Sequence, residues 1–126
     1  MTAPRSLLLP ALAVWPCQLA ACAVLVFAGL GKVRATPADV QLFTLLEMEP
    51  YGRVLVGVLE LLAALGLLHP LSAAYGALLG VGVLTGAALA HFGPLGLGGI
   101  EVFLPTYGAL LVVLVGRWRA LPFAAG

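Results

Sequence analysis

An apolar stretch with one acidic residue at its middle constrains this chain most. Residues 51–68 read YGRVLVGVLELLAALGLL and carry Glu60 near their centre. A helix needs roughly 20 mostly apolar residues to cross a bilayer, so the stretch lies near the lower limit for a membrane span. A carboxylate at that depth costs several kcal/mol unless it is paired or protonated. We therefore expect Glu60 to be buried in a helical bundle, against a cation or a bound molecule.

The composition places the chain among membrane proteins. Of its 126 residues, 63% are hydrophobic and 9% are charged, whereas soluble domains carry about 25% charged residues. The net charge of +1, with no basic cluster beyond Arg117 and Arg119, predicts no nucleic-acid partner. The lipid bilayer is the expected partner. We predict a single membrane domain over residues 1–126, in the cell membrane.

Four segments have the length and composition of membrane spans. They are about 11–31, 51–68, 71–90 and 100–116. Between the first two, Thr36 and Pro37 mark a helix start, because proline is favoured at the first helical position. This predicts a short amphipathic helix at about 37–48, lying along the membrane interface. The expected fold is all-α: a four-helix transmembrane bundle with an interfacial helix between helices 1 and 2.

The orientation in the membrane follows less directly from the charges. Four spans place both termini on one side, and the Lys and Arg residues near the spans divide equally, three to each side. The positive-inside rule therefore gives a tie. If Lys32 and Arg53 turn inward to meet acids, they are poor topology signals. Both termini are then expected in the cytoplasm.

In this topology the ionisable residues collect near one membrane face. Lys32 ends the first span, Arg53 begins the second and His91 ends the third. Arg53 precedes Glu60 by seven residues, so the two share a helix face. These four residues are the candidates for a ligand-binding site or an intramembrane polar pair. The alternative is that the cations are plain interfacial anchors. His91 lacks the neighbours of a metal site, so no metal is predicted.

The third span is rich in small residues at a spacing of four. Pairs of this kind let helices approach closely in lipid. The candidates for helix packing are Gly76, Gly80, Gly82 and Gly86. We expect this helix at the centre of the bundle. The chain offers no Ser/His/Asp set and no carboxylates paired at one depth, so no catalytic residue is predicted and an enzymatic role is left open.

Short motifs at the helix ends resemble a known family. The first span ends in FAGLGK at 27–32, the second carries GVLELLAALGLL at 57–68, and the third ends in Ala90-His91. Over about 14–116, the chain resembles the DoxX family of small four-helix membrane proteins, including the DoxX-like and MauE-type relatives.

The resemblance implies a polytopic bundle linked with redox systems. These are thiosulfate–quinone oxidoreduction in one branch and oxidative-stress complexes in another. By motif, Gly29, Lys32 and Glu60 carry over as the marked positions, and His91 more weakly. Gly29 is expected to let the helices approach closely. The chain departs from the family at Ala63-Ala64, where many members have two glycines, and it lacks a cysteine pair suited to thiol exchange. Both departures disfavour a catalytic thiol role.

The leading hypothesis is a DoxX-like subunit associated with a redox system. It would hold a quinone, lipid or small ligand at a pocket built from Lys32 and Glu60, and would not catalyse alone. The cofactor is not specified, and a quinone is the candidate. Other membrane subunits or further copies of the chain are the expected partners. Two alternatives remain: a structural accessory or assembly subunit without its own chemistry, and a small proton-coupled transporter.

Overall fold

The computed structural model describes residues 11–91, 93 and 103–117. Within these ranges the chain forms five helices and no strand. The helices are α1 (Ala11–Val33), α2 (Pro37–Leu45), α3 (Tyr51–Gly66), α4 (Ala73–Ala90) and α5 (Phe103–Gly116). The all-α prediction is confirmed. The short helix α2 begins at the predicted residue and ends at Leu45 rather than at 48.

Two of the described helices are long and apolar enough to cross a membrane. They are α1, over Ala13–Val33, and α4, over Ala73–Ala90. The apolar helix α5 is shorter, and α3 carries two charged residues within its 16 residues. The structure therefore supplies two candidate spans where the sequence predicted four. The predicted start of the last span, at 100, and both chain termini lie outside the described residues.

The long helices pack as a ring. Helix α1 contacts α3 and α5, and α4 contacts the same two helices. The interior is filled by small and branched apolar side chains, among which Leu25, Leu67 and Leu110 are almost completely buried. The expectation that the third span occupies the centre is therefore wrong, because α4 is one of four members of the ring and α1 lies across from it.

Two of the four predicted packing glycines of α4 lie at helix contacts. A Cβ atom on Gly76 would stand 2.6 Å from the carbonyl oxygen of Ala63 in α3. One on Gly80 would stand 3.0 Å from Cδ1 of Leu110 in α5. The small-residue face of α4 thus packs closely on both of its neighbours.

Gly82 and Gly86 have a different environment from the one the sequence predicted. No atom of the described residues lies within 4 Å of where their Cβ atoms would stand. The physical reason is helical geometry: Gly82 follows Gly80 by two residues and therefore points about 200° away around the axis. A spacing of four residues identifies a shared face, but it does not say which face meets a neighbour.

Candidate functional site

Two glycines bring α1 and α3 into backbone contact. A Cβ atom on Gly29 would stand 2.9 Å from the carbonyl oxygen of Gly57, and one on Gly57 would stand 2.9 Å from Cβ of Lys32. Because neither glycine has a side chain, the backbones approach as small residues allow in lipid. Gly57 lies within the family motif at 57–68 but was not among the predicted site or packing residues.

Helices α1 and α3 are antiparallel. A charged residue near the end of α1 therefore lies at the same height in the bundle as residues near the start of α3. Further along the same interface, Cys22 Sγ donates to the carbonyl oxygen of Ala64 at 3.3 Å. Positions late in α1 therefore face positions early in α3. The side chain of Lys32, near the end of α1, extends past Gly57 towards the interior of the bundle, where Glu60 lies one turn deeper along α3.

Lys32 and Glu60 form a close ion pair. Lys32 Nζ lies 2.8 Å from Glu60 Oε1, and the side chains are 17% and 4% exposed. Asp39, from α2, places Oδ1 4.0 Å from the same nitrogen, and its carboxylate accepts a hydrogen bond from the hydroxyl of Thr36. One cation therefore faces two carboxylates. Asp39 was not predicted as a site residue, because an acid in the first turn of a helix already has a local explanation.

A cavity of about 690 Å³ adjoins this ion pair. Its walls come from all four long helices, and α2 closes it near the ion pair. The apolar residues lining it include Val24, Leu25, Ala28, Leu42, Phe43, Val56, Leu59, Val83 and Ala87. Apart from Lys32, Asp39 and Glu60, the polar residues among the described lining are His91 and Thr106. The cavity is thus apolar along most of its wall and carries its charges near α2.

His91 lines this cavity at the end of α4. Its side chain is buried, and its ring meets the ring of Phe103 in an edge-to-face arrangement with the centroids 5.3 Å apart. The structure therefore brings three of the four predicted polar residues to one cavity: Lys32, Glu60 and His91.

Arg53, the fourth, does not line the cavity. Its Nε lies 2.9 Å from Oε2 and 3.0 Å from Oε1 of Glu49, and its Nη1 donates to the backbone carbonyl of Lys32. That carbonyl belongs to the last turn of α1, whose oxygens lack partners within the helix. Glu49 is four residues away from Arg53, whereas Glu60 lies seven residues along and already pairs with Lys32. Arg53 therefore ties α3 to the end of α1.

A second polar cluster lies at the opposite end of the bundle. Gln18 is completely buried. Its Nε2 donates to the carbonyl oxygen of Leu67 at 2.7 Å, and its Oε1 accepts from Arg117 Nε at 3.3 Å. The guanidinium of Arg117 stacks over Trp15, 5.0 Å from the ring centroid. This cluster joins α1 to the ends of α3 and α5, away from the cavity.

Among the described residues, no group of three or more His, Cys, Asp or Glu side chains is placed to hold a metal ion. Cys17 and Cys22 are both free thiols. The chemistry available at the cavity is therefore that of one ammonium, two carboxylates and an imidazole beside an apolar volume. Such a site can bind a molecule with a polar end and an apolar body.

Within the described residues, a bundle with two helices apolar enough to cross a membrane fits a helical membrane protein. Residues 17–116 match the model of the DoxX-like family. The chain therefore belongs to the DoxX-like family, and the resemblance seen in the motifs is confirmed. The matched region includes Gly29, Lys32, Glu60 and His91. No curated protein and no solved structure matches the chain significantly.

Proposed function

We propose that this protein is a multi-pass membrane subunit that holds a quinone, lipid or small ligand at the Lys32–Glu60 pocket. The observation that carries the proposal is an ion pair of 2.8 Å at the edge of a cavity of about 690 Å³ with mostly apolar walls. Cavities that bind small molecules measure roughly 300–1,000 Å³ and combine apolar walls with a few polar groups.

The residues present fit a ligand with a polar head. Lys32 offers hydrogen-bond donors, and the carboxylates of Glu60 and Asp39 offer acceptors. The apolar walls of the cavity suit a ligand whose body is an aromatic ring or a hydrocarbon chain. A quinone has this form, and so does a lipid with a small head group. The proposed association with a redox system is supported by the DoxX resemblance, and not by a redox group within the described residues.

The multi-pass arrangement is part of the proposal. Both charged residues of α3 have partners within the protein: Glu60 with Lys32 and Arg53 with Glu49. The outward face of α3 is apolar; its exposed residues include Val54, Leu55, Val58, Leu62 and Leu65. This supports a membrane position for α3 beside α1 and α4. The helix is about 24 Å long at 1.5 Å per residue, which a locally thinned bilayer accommodates.

Helix α5 completes the proposed bundle, since it packs against α1 and α4 and exposes Leu104, Leu111 and Val115. With four spans, both termini lie on one side, which we propose is the cytoplasmic side. The support is that Lys32 and Arg53 are engaged by carboxylates, so neither is a strong topology signal.

Native mass spectrometry of the protein, extracted gently from its own membranes, tests the proposal. We expect the wild type to retain a small molecule of quinone or lipid mass and Glu60→Gln to lose it. The matched control is Glu47→Gln, which makes the same change at an exposed residue outside the cavity. A wild type that retains nothing contradicts the pocket.

The same measurement reports on partners. We propose that other membrane subunits, or further copies of the chain, accompany this protein. Partner polypeptides together with a retained ligand would support a ligand-holding subunit. A stable set of partners without any ligand would instead support an accessory or assembly subunit, in which the Lys32–Glu60 pair only fixes the register of two helices.

A further inference from the structure

Helices α3 and α4 touch at one level and border the cavity at another. At the first level, the Cβ position of Gly76 lies 2.6 Å from the carbonyl oxygen of Ala63. Val56 lies seven residues before Ala63 in α3, and Val83 lies seven residues after Gly76 in α4. Both are nearer the end of the bundle that holds Lys32. Seven residues make nearly two turns, so these valines lie on the same helix faces, about 10 Å away. Both line the cavity. The two faces that touch at Gly76 therefore both border the cavity at Val56 and Val83.

Two glycines of α4 lie at the outer edge of the cavity. Gly82 and Gly86 border the cavity and are also exposed on the outside of the bundle. No atom of the described residues stands within 4 Å of their Cβ positions. Leu59, half-buried, borders the cavity from α3. We call this opening, bounded by Leu59, Gly82 and Gly86, the α3–α4 portal. In the proposed membrane arrangement it faces the lipid.

The charged side chains of the cavity near α2 favour some ligand head groups over others. Lys32 supplies one positive charge, and Glu60 and Asp39 supply two carboxylates. An added anion would face these carboxylates in surroundings where an unpaired charge is costly. A hydroxyl group, by contrast, donates to a carboxylate and accepts from an ammonium, and a carbonyl accepts from the ammonium.

We infer that the cavity takes an amphiphile with an uncharged hydroxyl or carbonyl head, which enters sideways from the bilayer through the α3–α4 portal. The head group of the amphiphile lies at Lys32, Glu60 and Asp39. Its apolar chain leaves the cavity through the portal, beside Gly82 and Gly86. This inference rests on the proposed function, because it specifies the ligand and the route of the same pocket.

The test uses probes that share one chain and differ in the head. Hexadecanol and hexadecanoate are added at neutral pH to the purified full chain in detergent, and the thermal unfolding midpoint is followed, since a ligand that binds the folded state raises it. We expect hexadecanol to raise the midpoint and hexadecanoate to leave it unchanged. An equal rise with hexadecanoate would overturn the preference for an uncharged head.

A charge variant checks this preference independently. Asp39→Asn combined with Glu60→Gln removes both carboxylates and leaves Lys32 as the cation. We expect hexadecanoate to stabilise this variant, because its head now meets a positive charge. If hexadecanoate still has no effect while the variant unfolds cooperatively, the charges do not select the head and the inference is wrong on that point.

A pair of glycine variants tests whether the bound apolar chain occupies the portal. Gly86→Leu places a large side chain in the portal, whereas Gly108→Leu makes the same change in α5, at a position that does not line this cavity and has no described atom of another helix within 4 Å. We expect the hexadecanol shift to disappear in Gly86→Leu and to persist in Gly108→Leu. A shift that persists in both overturns the portal.

The outcomes separate this inference from the proposed function. If native mass spectrometry finds a retained ligand but hexadecanol has no effect on the wild type, the pocket stands and the uncharged-amphiphile inference fails. If the wild type retains nothing and responds to neither probe, both fail.

Discussion

Gly29 and Gly57 lie backbone against backbone, and this contact sets the distance at which α1 presents its lysine to α3. The Cβ position of Gly57 is 2.9 Å from Cβ of Lys32, so the lysine stem lies directly along α3. Its ammonium then reaches Glu60 at 2.8 Å. The glycine contact and the ion pair are therefore one structural unit, and a change in one is expected to affect the other.

Gly29→Ala should destabilise the protein. The added methyl group would stand 2.9 Å from the carbonyl oxygen of Gly57 and from Cγ of Leu61, which forces α1 and α3 apart. Overpacking of this kind costs about 1–3 kcal/mol. Denaturant titration in detergent, followed by circular dichroism, measures the loss in the free energy of unfolding.

The control for that change is Gly108→Ala, because no described atom lies within 4 Å of the Cβ position of Gly108. Alanine raises helix propensity by up to about 1 kcal/mol over glycine, so this variant should be neutral or more stable. If the two alanine variants behave alike, the α1–α3 contact is looser than described.

Lys32→Met should be more damaging than the double change Lys32→Met with Glu60→Met. The single variant leaves Glu60, 4% exposed at its side chain, without its cation. Breaking a buried pair in this way costs about 3–5 kcal/mol. Replacing both partners with apolar residues is often close to neutral. A double-mutant cycle on unfolding free energies measures the coupling, and additive effects would show that the pair contributes nothing beyond its separate residues.

The sequence predicted, for a physical reason, that Glu60 meets a cation or a bound molecule, whereas the choice of Lys32 over Arg53 came from the family resemblance. A carboxylate nine residues into an apolar span needs a partner, and few cations are available near that depth. Neighbours in space but not in sequence were harder to predict. Asp39 reaches the site only because the loop after α1 folds α2 over the cavity, and no periodicity encodes that fold.

Arg53→Lys should lower stability without loss of the retained ligand. Lysine keeps the charge but loses the planar fork that contacts Glu49 and the carbonyl of Lys32 together. Since Arg53 does not line the cavity, native mass spectrometry should find the ligand still bound. A variant that unfolds like the wild type but releases its ligand would place Arg53 in the binding site, as the seven-residue spacing from Glu60 had predicted.

Gln18→Leu should destabilise the opposite end of the bundle. It leaves the carbonyl oxygen of Leu67 without the 2.7 Å hydrogen bond from Gln18, and an unsatisfied buried group costs about 1–3 kcal/mol. The control is Gln41→Leu, at an exposed position of α2. Both unfolding free energies are measured in detergent, and an equal effect of the two changes would show that the Gln18 hydrogen bonds do not stabilise the fold.

The α4 glycines show where sequence reasoning stops. The small-residue pattern predicted close packing at all four positions, and Gly76 and Gly80 have it. Gly82 and Gly86 do not, because packing requires a neighbouring helix at the right angle. That angle depends on how α3 and α4 diverge from their tight contact at Gly66 and Gly76, which only a three-dimensional arrangement specifies.

The neutrality of the Lys32–Glu60 pair has a consequence for an energised membrane. A voltage of 100 mV does about 2.3 kcal/mol of work on one elementary charge moved across the whole bilayer. Two opposite charges held 2.8 Å apart present almost no net charge to that field. The uncharged occupant proposed above adds none, and the charges of Lys32, Glu60 and Asp39 stay with the protein, so exchange of that occupant with the bilayer should proceed equally well whether the cell is polarised or depolarised.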